Sequence, residues 1–193
     1  MKRIFIALKI DPADELMKMF SAFKTALKDD KIKWTGTSNL HVTLAFLGDT
    51  DERKVKDLDR MLKDTCEGSG EFELRLRGAG IFRSLKDPRV VWTGISYSEN
   101  LKRLHEMVRD GLNNTGISIE NRKFSPHLTL GRIRSIKDSS VLSSLIELYQ
   151  DKELQNQVVK EVILYESILY PAGPVYEPLV KYPLGKPAYQ VKI

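Results

Sequence analysis

The strongest constraint on this fold is a repeat. His41-Val42-Thr43-Leu44 and His127-Leu128-Thr129-Leu130 stand 86 residues apart, and the surrounding hydrophobic pattern follows the same offset. In the first half, residues 4–10 read as a strand. Residues 13–28 read as a helix opened by Asp11-Pro12, with Leu16, Met17, Phe20, Phe23 and Leu27 on one face. A strand at 40–47 ends at Gly48-Asp49, a polar helix covers 52–66, and a strand covers 72–76. The second half gives strand 90–96, helix 100–113, strand 127–133, helix 138–149 and strand 158–164, so β-α-β-α-β occurs twice. Ile6 precedes His41 by 35 residues, as Trp92 precedes His127; Phe72 follows His41 by 31, as Val158 follows His127. An internal duplication is the reading. The Gly-rich phosphate loops of doubly wound folds are absent, which favours an α+β fold with a two-lobed sheet over parallel βαβ units.

The chain has 193 residues, about one domain's length, and no low-complexity linker divides it, so residues 1–193 are read as a single two-lobed domain. The longest apolar run, residues 4–8, is far shorter than the roughly 18 residues of a membrane span and shorter than the core of a secretory signal. A cytoplasmic monomer without membrane association is expected. Cys66 is the single cysteine, which excludes an internal disulfide and thiolate metal clusters. The net charge of +5 suits an anionic partner without identifying one.

In a strand, residues i and i+2 share a face, so each His projects with its Thr while Val42, Leu44, Leu128 and Leu130 face a core. One His-x-Thr is weak evidence of a site, because a partly buried histidine explains it. Two copies at equivalent places, using two of three histidines, point to one shared centre. Two imidazoles with ordinary pKa near 6.5 supply a base and an acid at neutral pH, and two threonine hydroxyls can donate to phosphoryl oxygens. In-line displacement at phosphorus needs a base on the incoming oxygen and an acid on the departing one, on opposite sides, which a symmetric pair of histidines supplies without a metal.

The stretches His41-Val42-Thr43-Leu44-Ala45-Phe46-Leu47-Gly48 and Ser125-Pro126-His127-Leu128-Thr129-Leu130-Gly131-Arg132 resemble the two signature motifs of the 2H phosphoesterases, in particular the RNA 2′,3′-cyclic phosphodiesterases, also called 2′-5′ RNA ligases. The likeness extends to Arg3-Ile4-Phe5-Ile6-Ala7, to residues 87–94 and to Gly173-Pro174-Val175-Tyr176. It implies a bilobal, pseudo-twofold α+β fold with two mainly antiparallel sheets, helices outside and a central cleft. It also implies metal-independent, cofactor-free opening of a 2′,3′-cyclic phosphate on RNA ends or nucleotides to a 2′-phosphate, with 2′-5′ joining as the reverse. In this resemblance His41 is the general acid on the departing 3′-oxygen, His127 the general base on water, and Thr43, Thr129 and Arg132 bind phosphate. On strand parity Arg132 points away from the site unless the strand ends or bulges there. Phe46, at the equivalent place in the first half, covers the cleft, stacks on a base or joins the core, and parity favours the core.

Other features carry less. His105 borders the apolar stripe of its helix and is read as structural, as is Cys66. No His or Glu spacing beside the motifs suits zinc, and no Gly-x-Ser-x-Gly elbow supports a serine nucleophile. Basic residues gather at Arg75, Arg77, Arg83, Lys86 and Arg89 and at Arg122, Lys123, Arg132, Arg134 and Lys137, where an RNA backbone or plain solvent would suit them. The alternatives are a non-catalytic module that binds RNA ends, or the same chemistry on an ADP-ribose cyclic phosphate or a 2′-5′ oligonucleotide.

Overall fold

The computed structural model describes residues 1–117, 123–171 and 173–185. Strand β1 (Lys2–Lys9) leads to helix α1 (Asp14–Ala26), then to a short strand β2 (Lys31–Trp34) and to β3 (His41–Thr50). Helix α2 (Glu52–Glu67) and strand β4 (Phe72–Ser84) complete the first half. The second contains β5 (Asp87–Ile95), α3 (Glu99–Asn114), β6 (His127–Ser135), α4 (Ser139–Tyr149), β7 (Glu153–Val159), β8 (Glu161–Tyr170) and β9 (Gly173–Pro183). Three helices begin where a short polar side chain caps them: Asp51 accepts from the Arg53 amide, Ser98 from Leu101 and Asp138 from Ser140. No helix is long and apolar enough to cross a membrane, among the described residues.

The strands pair antiparallel in the order β7-β4-β5-β6-β3-β1-β8-β9, with β2 beside β6. Two leaves, β3-β1-β8-β9 and β7-β4-β5-β6, meet at one residue pair, Val42 with Leu128. The duplication is present but interleaved. β1 and β3 correspond to β5 and β6, while β4, from the first half, pairs with β5, and β8, from the second, pairs with β1. The helices cross over likewise, α1 packing on α4 and α2 on α3. One continuous core lies between sheet and helices and includes Val42, Leu44, Leu128 and Leu130 from the two motif strands. A small second cluster, Phe5, Ala7, Ile163 and Tyr165, lies apart from that core.

The strand expected at 158–164 is a correction. Val158 and Val159 end β7, and β8 begins at Glu161. The sequence hides β7 because its centre is Gln155-Asn156-Gln157, which has no apolar alternation. Its glutamines are held by the β1–α1 connection: Gln155 accepts from the Ala13 amide at 2.7 Å, and Gln157 donates to the Lys9 carbonyl at 2.8 Å.

Candidate active site

The Val42–Leu128 pair fixes the centre. In an antiparallel ladder, residues directly opposite face the same side, so counting outward from that pair sets His41 beside Thr129 and Thr43 beside His127. Val42 and Leu128 are fully buried on the core side. The two histidines and two threonines therefore project together from the other face, where they are part-exposed. The pseudo-twofold passes through this pair of strands.

Each imidazole is held the same way. His41 Nδ1 lies 2.6 Å from the Asn39 carbonyl oxygen and His127 Nδ1 lies 2.8 Å from that of Ser125. A carbonyl only accepts, so each Nδ1 carries the hydrogen and each Nε2 is left for chemistry. Aromatic edges lock the rings. Tyr176 meets His41 at 5.2 Å between centroids and 87°, and Phe82 meets His127 at 4.6 Å and 86°. Phe5 adds a tilted contact to His41 at 5.0 Å. Burial lowers the pKa of both histidines below the ordinary value, against a rise from the backbone hydrogen bond; Arg132 lowers both further, and the charge of His127 lowers His41.

Arg132 and Phe46 face this centre, which settles the parity question for both and moves Phe46 out of the core. Within its motif each strand carries an extra residue: β6 between Thr129 and Gly131, and β3 between Thr43 and Ala45. The bulge places two consecutive residues inward, Leu44 with Ala45 and Leu130 with Gly131, and returns the next side chain to the cleft. Phe46 is accordingly 49% exposed. His41, Thr43, Phe46, Arg132, Tyr176 and Arg3 line an open cavity of about 360 Å³, with the Arg3 guanidinium 5.1 Å from the Phe46 ring centre. No carboxylate lines it among the described residues. Among the same residues, no three His, Cys, Asp or Glu side chains gather as a metal site would require.

A larger cavity of about 660 Å³ beside α3 contains neither motif histidine. Its wall includes His105, stacked on Phe124 at 3.7 Å with Nδ1 3.1 Å from the Leu44 carbonyl, which ties α3 to β3. Burial pushes the Cys66 thiol up to about 12. Much of the first basic cluster is neutralised by ion pairs: Arg75 with Glu73, Arg77 with Asp151, and Arg83 and Arg89 with Asp87. In the second cluster, Arg122 lies outside the described residues. Asn39 and Phe82 escaped the sequence reading, because a backbone carbonyl and an isolated aromatic leave no pattern. Tyr176 entered only with the family likeness.

A family profile described as LigT like Phosphoesterase matches residues 7–92 and 95–176, each stretch containing one of the two His-x-Thr motifs. This chain belongs to the LigT-like phosphoesterase family. A Methanothermobacter thermautotrophicus protein named RNA 2′,3′-cyclic phosphodiesterase is 35% identical over 176 residues, covering 90% of this chain and 94% of that protein. A Thermotoga maritima protein of the same name is 34% identical over 179 residues and 92% of each chain. Among solved structures, Escherichia coli LigT complexed with 3′-AMP superposes with a TM-score of 0.73 at 27% identity, over 95% of this chain and 98% of that one. A Thermus thermophilus protein gives a TM-score of 0.78 at 26% identity, again over 95% and 98%. The LigT-like assignment and the antiparallel, two-lobed α+β architecture agree with the resemblance carried by the two motifs.

Proposed function

We propose that this chain hydrolyses 2′,3′-cyclic phosphates on RNA ends, and on nucleotides that imitate them, to 2′-phosphomonoesters, with 2′-5′ joining when a 5′-hydroxyl attacks in place of water. The observation that carries the reading is the strand pairing that sets His41 beside Thr129 and Thr43 beside His127, with both Nδ1 atoms engaged on backbone carbonyls and Arg132 close enough to act on both rings. Water attacks phosphorus and gives its proton to His127; the bond from phosphorus to the 3′-oxygen breaks, and His41 protonates that oxygen. Thr43, Thr129 and Arg132 hold the charged phosphoryl oxygens. Symmetry leaves the two histidine roles interchangeable, and the family resemblance assigns them. Burial lowers both rings and Arg132 lowers both further, so the electrostatics do not distinguish the acid from the base. The names borne by the relatives support the substrate class.

The test is turnover of adenosine 2′,3′-cyclic phosphate and of cyclic-ended RNA in excess chelator, with the product's phosphate position mapped. A 2′-phosphate is expected, and His41→Ala and His127→Ala each lose roughly 10² to 10⁴-fold in rate. A 3′-phosphate product, full dependence on added metal, or wild-type rates in either variant overturns the reading.

A further inference from the structure

We infer that Lys33, on the strand beside Arg132, forms a second phosphate site that takes the 5′-phosphodiester of the terminal nucleotide, while Arg132 holds the phosphate being opened; the inference rests on the function proposed above. Lys33 belongs to β2, a strand with no counterpart in the sequence reading, and it pairs directly across from Arg132 on β6. Directly opposite residues share a face, so Lys33 stands on the side from which Arg132 enters the cavity. Its neighbour Trp34 goes the other way, crossing Gly131 and meeting the core residue Phe20 edge-on at 5.7 Å.

Two cations directly opposite on one sheet face repel. Among the described residues, neither Lys33 nor Arg132 has a carboxylate within ion-pair distance, whereas Arg75, Arg77, Arg83 and Arg89 on neighbouring strands each have one. Among the described residues both are left for anions from outside, Arg132 for the reacting phosphate and Lys33 for a second one. The Lys33 ammonium also has a defined reach, because it crosses to the β8–β9 hairpin, where a Cβ placed on Gly173 would lie 2.9 Å from Nζ. Gly173 takes φ 141°, a conformation that favours glycine, and the next residue, Pro174, lines the cavity. The ammonium thus lies against the hairpin, next to the cavity residue Pro174.

Position then selects the ligand. Along the cleft face, β6 presents His127, Thr129 and, past the bulge, Arg132, so Lys33 sits at the Arg132 end and outside the four-residue centre. A phosphate on Lys33, outward of Arg132, is not the one being opened. In a cyclic-ended RNA the next phosphate is the 5′-linkage of the terminal nucleotide, and a cyclic mononucleotide with a free 5′-hydroxyl lacks it. Lys33 therefore separates RNA ends from cyclic mononucleotides.

The experiment compares kcat/KM for adenosine 2′,3′-cyclic phosphate with kcat/KM for a dinucleotide ending in the same cyclic adenosine. For Lys33→Gln, the ratio of dinucleotide to mononucleotide falls roughly three- to tenfold, and for Lys33→Arg it is retained. The dinucleotide's dependence on salt also becomes shallower by about 0.7 in log–log slope, as one lost phosphate contact on a single strand requires. An unchanged ratio overturns the inference, as does an equal loss on both substrates, which would place Lys33 on the reacting phosphate. Failure of the wild type to open either substrate defeats the proposed function separately. In that case the same comparison is read from Kd values of the matching 2′-phosphate dinucleotide and mononucleotide, and an unchanged Kd ratio in Lys33→Gln overturns the site.

Discussion

Arg132 touches the chemistry in two ways, through the phosphate it is placed to hold and through the protons of both histidines. A positive charge beside an imidazole disfavours its protonated form, and Arg132 lowers His41 and His127 alike. Removing that charge makes both rings easier to protonate. Arg132→Gln should therefore shift both limbs of the kcat/KM profile to higher pH while lowering its height, and Arg132→Lys should keep the profile in place. Because the two histidines titrate as a pair, the shift is read on the whole bell, not on one residue. A profile that stays fixed in Arg132→Gln would separate Arg132 from the centre. The sequence disclosed the four His and Thr positions through their repetition and left Arg132 undecided, since parity counts only regular strand and a bulge leaves no residue-level mark in Leu130-Gly131.

At the level of elements, bulges decide which side chains meet, and one of them depends on a glycine. Gly78 is the unpaired residue between Arg77 and Ala79 where β4 loses register with β5, and it takes φ 74°. Its amide donates to the Lys152 carbonyl at 2.9 Å and its carbonyl accepts from the Thr93 hydroxyl at 2.5 Å, joining β5 to the turn before β7. A Cβ at this position would run into the backbone carbonyl of Gln150, which cannot swing aside as a side chain can. Gly78→Ala should cost more than about 2 kcal/mol, from the left-handed conformation and the clash together. Urea unfolding checks this, with a lower midpoint and an unchanged slope expected. An equally stable variant would mean that the bulge is not held by Gln150. The same level explains what the sequence concealed. Strands β1, β3, β5 and β6 and the four helices announce themselves by apolar periodicity, because one side of each meets the core. β2, β7 and β9 are secured by other means. β9 carries Pro174, Pro178 and Pro183 at a sheet edge, and β7 is tied down by the amides of Gln155 and Gln157.

At the scale of the whole molecule, the interleaved halves concentrate a pH response at one seam. Burial is the first cause lowering each of His41, His105 and His127 below the ordinary histidine value. In the unfolded chain these rings protonate near 6.5. The stability that comes from keeping them neutral is therefore complete above that value and is lost as the pH falls through their lower folded values, where the unfolded chain binds more protons. The carboxylates that shift, Asp51, Asp87 and Asp138, are lowered from about 4 by exposed partners, so their contribution changes only in stronger acid. Two of the three histidines flank the single pair, Val42 with Leu128, that joins the leaves, and there the charge of one opposes the charge of the other. Melting temperature should accordingly fall between pH 7.5 and 5.5, and His41→Gln/His127→Gln should flatten that fall. A nucleoside 2′-phosphate, seated between two imidazolium rings, should raise the melting temperature more at pH 5.5 than at 7.5, since it binds the charged folded form and not the unfolded chain. A melting temperature constant across this range, or a ligand shift larger at pH 7.5, would show that protonation at the seam does not act on the junction of the two leaves.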